Sequence, residues 1–169
     1  MRFKSNLIQA SGIALALIGF LGIEARAQTP LLSYAAKFVC GGSLTDEAVV
    51  KGFYQTTVNI HNPHFSRVDA RKKAVIALPQ SDPPGSISAF VLERLPPDAA
   101  VGVNCKDIRA LFVPSPTGFI EGFVVVRVPP GTPLDVTDVI TARPGAAGAA
   151  GEVATINVYE VHSTKIVAP

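Results

Sequence analysis

From Ser33 onward, apolar and polar residues alternate with period two or gather into short β-branched runs, and Pro and Gly stand between the runs. Alternation of this kind is the mark of strands with one face buried. It predicts strands over "YAAKFVC" (34–40), "YQTTVNIHN" (54–62), "RKKAVIAL" (71–78), "SISAFVLERL" (86–95), "GFIEGFVVVRV" (118–128), "LDVTDVITA" (134–142) and "EVATINVYEVHS" (152–163). Asn62-Pro63, "SDPPG" (81–85), Pro96-Pro97-Asp98, "VPSPTG" (113–118), "PPGT" (129–132) and "RPGAAGAAGE" (143–152) remove backbone donors or permit unusual φ, so each should end a strand. The Gly/Ala segment reads as a hairpin loop, and no internal repeat is present.

One short helix interrupts this rhythm. Asn104 is placed to cap it, Asp107 sits at its third position near the positive dipole end, and Ile108, Leu111 and Phe112 form an apolar face. Val103 stands where it can staple onto Ile108 across the cap. About seven strands with turn chemistry between them give an all-β fold: an antiparallel β-sandwich, immunoglobulin-like or jelly-roll, with one short helix.

The N-terminus changes the picture. Arg2 and Lys4 precede an apolar run from Leu7 to Ile23, and Ala25 and Ala27 supply an Ala-x-Ala site. This is the tripartite pattern of a secretory signal peptide over residues 1–27, with an uncleaved anchor as the alternative. Residues 28–169 then form a single β-sandwich domain, and no later segment is apolar for long enough to span a bilayer. The expected location is secreted or periplasmic.

Charge narrows the partners. Of 15 basic and 13 acidic residues, Arg2, Lys4, Arg26 and Glu24 fall in the signal segment, leaving 12 of each sign. A balanced chain without a Lys/Arg block argues against nucleic acid and against electrostatic docking on anionic lipid.

The two cysteines, Cys40 and Cys105, lie 65 residues apart in the exported part and read as one disulfide, with a pair of buried free thiols as the alternative. Closing a loop of that length stabilises a fold by about 4 kcal/mol on the chain-entropy model.

Two of the three histidines stand in "TVNIHNPH" (57–64). His61 and His64 fall on opposite faces of a continued strand, but a turn at Asn62-Pro63 can bring both imidazoles to one side, and His162 is the available third ligand. Three converging imidazoles would make a Zn or Cu site. The competing reading is a set of structural histidines around an ordinary Asn-Pro turn, with no cofactor. His-x-x-His on a strand-turn lacks the helical spacing and general-base Glu of His-Glu-x-x-His.

Other chemistry is thin. There is no Gly-x-Ser-x-Gly elbow, P-loop or dinucleotide fingerprint. Asp135 and Asp138 should point to opposite faces of their strand, while Glu93-Arg94 and Arg71-Lys72-Lys73 read as solvated or edge-strand charges. No catalytic residue is assigned. The absence of Trp argues against a module that stacks sugars on exposed rings, and edge strands with Pro-rich loops suit a protein or envelope partner.

"AAKFVCG" (35–41), "TTVNIHNP" (56–63), "LPPDAAVGVNCKDI" (95–108), "FIEGFVVV" (119–126) and "LDVTDVITA" (134–142) together resemble a group of small, uncharacterised, secreted, mostly bacterial β-rich proteins. In that group the last segment reads more often "LDVVAVYTA", so Asp138 and Ile140 are among the departures from the pattern. The resemblance spans nearly the whole mature chain and implies an exported β-rich domain with two corresponding cysteines and no activity. "IHNP" also resembles the Val-x-Asn-Pro strand exit of immunoglobulin-like domains. The expected function is a non-enzymatic envelope or extracellular binding or structural module. The alternatives are a periplasmic metal-binding protein using the histidines, and a secreted hydrolase.

Overall fold

The computed structural model describes residues 30–43, 49, 51–144 and 155–167. The segment expected to be a signal peptide (1–27) and most of the expected Gly/Ala loop lie outside the described residues. Nine strands and one helix run in the order β1 (Pro30–Ser43), β2 (Gly52–His61), β3 (Val68–Ile76), β4 (Val91–Leu95), β5 (Ala100–Asn104), α1 (Cys105–Ala110), β6 (Ile120–Val128), β7 (Asp135–Pro144), β8 (Thr155–Glu160) and β9 (Thr164–Val167). All pairings between named strands are antiparallel.

Two sheets share one strand. In the first, the order is β4-β3-β6-β1-β9; in the second, β8-β7-β2, with β5 on the free edge of β2. β1 pairs with β6 from Leu32 to Cys40, then leaves it and pairs with β2 from Gly41 to Ser43. Gly41 makes that change of sheet at φ 100°. A Cβ there would run into the carbonyl oxygen of Gly118, so the site requires glycine on two counts.

The alternation in the sequence is the alternation in burial. Tyr34, Ala36, Phe38 and Cys40 of β1, Val124, Val126 and Val128 of β6, Val58 and Ile60 of β2, and Val136 of β7 all point inward and form one core cluster with Ile108 of α1. Each buried Val, Ile or Phe contributes about 1.5–3 kcal/mol of transfer free energy. Two inward polar side chains, Thr56 and Tyr34, are matched to backbone groups. Thr56 Oγ1 accepts from Val39 N–H and donates to Val39 O, both at 2.9 Å, and the Tyr34 hydroxyl accepts from Leu134 N–H at 2.7 Å. The Thr56 hydroxyl therefore takes the hydrogen bonds that the edge of β1 has no strand to make.

The helix forms as its sequence predicts. Asn104 accepts from Lys106 N–H and Asp107 N–H, and Asp107 accepts from Asn104 N–H, closing a capping box. The Cys40–Cys105 disulfide ties the first residue of α1 to β1 one position before the crossing.

Three expectations need correction. The predicted strand 86–95 is split: Ser88 Oγ accepts from Ala74 N–H where a ladder carbonyl would otherwise stand, only Ile87 bridges Val75, and β4 resumes at Val91. The predicted strand ending at Ser163 stops at Glu160, because the chain leaves β7 there and re-pairs with β1 as β9. Lys72 is not on a solvated face; it lies inward on β3, and its amine donates to Glu93 at 2.6 Å.

Thr56→Val keeps the shape of the side chain and removes its hydroxyl, leaving Val39 N–H and O buried and unpaired. It should cost about 1–3 kcal/mol in urea unfolding with an unchanged m-value; a smaller loss would mean that the edge of β1 is satisfied in another way.

Candidate functional site

The sequence places most of its candidate chemistry at one end of the sandwich, where β2 runs out into "HNPH". Asn62 is fully buried there. Its side-chain amide donates to Ser66 O at 2.9 Å, Leu95 O at 3.1 Å and Pro96 O at 2.8 Å, while its Oδ1 accepts from His64 N–H at 3.0 Å. Its own N–H donates to Ala99 O. One asparagine thus joins the turn after β2 to the turn between β4 and β5, an Asx-turn used as a cross-link.

His61, one residue earlier, is held from both sides. Its Nδ1 lies 2.9 Å from Asp135 Oδ2 at the start of β7, and its Nε2 lies 3.1 Å from Asp98 Oδ1 in the β4–β5 turn. Asp98 reaches this position at φ 52°, a left-handed conformation that aspartate tolerates better than most residues. Donation to two carboxylates requires a proton on each ring nitrogen, hence the imidazolium. The hydrogen bond to Asp135, and after it the one to Asp98, raise the His61 pKa above its ordinary 6.5, against a smaller opposing effect of burial. A ring with both nitrogens engaged has none left to take a substrate proton or to bind a metal.

The other two histidines go elsewhere. His64 Nε2 donates to Pro133 O at 2.7 Å, which fastens the turn after β2 to the loop before β7. His162 lies in the crossing between β8 and β9, lining an open cleft of about 480 Å³ with Lys37, Asp138, Glu160 and Val161. Among the described residues no group of three or more His, Cys, Asp or Glu side chains is placed to hold a metal ion. Asp135 and Asp138 do lie on opposite faces, Asp135 out and Asp138 buried.

The disulfide end holds a second constellation. Arg109 of α1 donates from Nη1 to Pro116 O and from Nη2 to Cys40 O and Gly118 O. It closes one side of a cleft of about 380 Å³ beside Cys105, with Phe53, Tyr54 and Arg143 on the other. Arg143 lies over the Phe53 ring at 5.3 Å. The Arg109 guanidinium is spent on backbone carbonyls, so the cleft is walled by structural groups.

Sequence reasoning singled out the histidines and missed Asn62 as a side chain that matters; the Asn-Pro dipeptide marked the turn but not the three carbonyls that converge on it. Compared with known proteins, the chain matches no family model, no curated protein and no solved structure. Among the described residues no helix is long and apolar enough to cross a membrane.

Two outcomes follow for this end of the molecule. A pKa raised on folding means that the His61 clamp stabilises fully below pH 6.5 and loses its effect as pH rises through the higher native pKa. The thermal midpoint of His61→Gln should therefore lie below that of the parent at acidic pH and converge on it at alkaline pH; a difference independent of pH would contradict the clamp. Asn62→Ala leaves buried carbonyls without a donor and should cost about 1–3 kcal/mol in urea unfolding.

Proposed function

We propose that this chain is an exported β-sandwich module that acts without catalysis, as a binding or structural element of the cell envelope or extracellular space. The observation that carries this reading is the Cys40–Cys105 disulfide, set at the junction of both sheets and α1. Disulfides of this structural kind persist in oxidising compartments and are rare in the cytosol of mesophiles. The tripartite N-terminus through Ala27 and the resemblance to small secreted proteins agree with it.

The polar groups that sequence reasoning offered for chemistry support a non-catalytic role. His61 is saturated by Asp98 and Asp135, and Arg109 by backbone carbonyls. The finer description is an immunoglobulin-like sandwich, supported by the "IHNP" strand exit and by a first strand that serves both sheets.

Fractionation of cells expressing the full chain tests this. The mature protein should be found outside the cytoplasm, lacking residues 1–27, with no thiol reactive toward a maleimide until a reductant is added. Cytoplasmic protein with two reactive thiols would overturn it.

A further inference from the structure

The outward face of the first sheet carries a charge pattern that the balanced composition conceals. Because Val68, Ala70 and Ala74 of β3 point inward, Arg71 and Lys73 point out; because Val124, Val126 and Val128 of β6 point inward, Arg127 points out as well. Arg71 and Arg127 are direct cross-strand partners, and Lys73 stands two residues along on the same face. Like charges placed opposite each other on a sheet destabilise it.

The usual remedy is a carboxylate, and here it is missing. Among the described residues Asp69 is paired with Arg67, Glu93 with Lys72 and Glu121 with Lys37, and no carboxylate pairs with Arg71, Lys73 or Arg127. The ring of Phe90 lies beneath two of these cations, 5.0 Å from Lys73 Nζ and 4.9 Å from Arg127 Cζ. This stacking holds the guanidinium in place, and it leaves Arg127 Nε buried without a hydrogen-bond partner. A buried charged donor without an acceptor is costly.

We infer that Arg71, Lys73 and Arg127 form a binding site for a soluble phosphate-bearing ligand. A phosphate group supplies what the face lacks: two negative charges against a like-charged cluster, and several acceptor oxygens for guanidinium donors of fixed geometry. Phe90 preorganises the cationic floor, and Leu92, half exposed opposite Arg71, gives the ligand's remainder an apolar flank. The site rests on the sheet's geometry and is independent of the export reading, so a phosphate-binding chain found in the cytoplasm would remove only the latter.

The test is a titration of the full chain with inorganic phosphate against chloride at matched ionic strength, followed by backbone amide NMR and thermal unfolding. Phosphate should shift the signals of residues 71–73 and 125–127 and raise the midpoint. Arg71→Gln and Lys73→Gln should each weaken phosphate binding roughly tenfold, while Arg94→Gln, an exposed cation of the neighbouring strand, should leave it unchanged. Arg71→Glu separates the site from a generic surface effect: it should be more stable than the parent without phosphate and gain nothing from adding it. Equal responses to phosphate and chloride, unaltered binding in the Arg71 variants, or binding to phosphatidylglycerol vesicles without binding to free phosphate would overturn the proposal.

Discussion

Strand β1 belongs to both sheets, and closure of the sandwich depends on how it changes from one to the other. A strand that leaves its partner in mid-course exposes backbone groups on the edge it abandons and must turn through a conformation that most residues resist. Three neighbouring features meet those demands. Gly41 makes the turn, the Thr56 hydroxyl satisfies Val39 on the open edge, and the Cys40–Cys105 bridge fixes the strand one residue before the turn. Thr56 also donates its N–H to Cys105 Sγ at 3.2 Å, so hydroxyl, disulfide and helix start form one unit.

The opposite crossing has a different design. The chain passes from β7 to β1 over Val161, His162 and Ser163, with Val161 N–H still donating to Val136 O before β9 begins. At the "HNPH" end, where β2 stops pairing after His61, side chains carry on the cross-linking. Asn62, His61 and His64 bind carbonyls and carboxylates from the β4–β5 turn and the approach to β7, so polar cross-links hold the loops there alongside the buried Leu95 and Leu134. Residues chosen for such bonds look like an active site in sequence, since both uses call for His, Asn and Asp. What separates them is whether a ring nitrogen is left over.

Much of the architecture was legible in the sequence, because burial in a sheet imposes period two and the capped helix carries its own local signature. β6 and α1 follow their patterns almost residue by residue. β5 and β9 were not legible. β5 offers only Val101 and Val103 around Gly102, too short a run to stand out from a turn, and β9 is four residues whose existence depends on a distant edge of β1. Pairing partners leave no trace in periodicity, so the sharing of β1 between sheets and the split at Ser88 were likewise invisible. The disulfide was readable from the cysteine count and the expected compartment, whereas the fates of His61, His64 and His162 depended on which loops meet. The same limit applies to charge: twelve of each sign over residues 28–169 said nothing of three cations gathered on one face without a counterion among the described residues.

The claim that the crossing of β1 is pinned by its disulfide is tested most directly by the Cys40→Ala/Cys105→Ala double variant, compared with the oxidised parent by urea unfolding and amide hydrogen exchange. The loss should be about 4 kcal/mol, the size expected for releasing a loop of this length. Protection should fall first at the pairing of Gly41–Ser43 with Gly52–Tyr54 and in α1. Equal stability with unchanged protection at those sites would contradict the account.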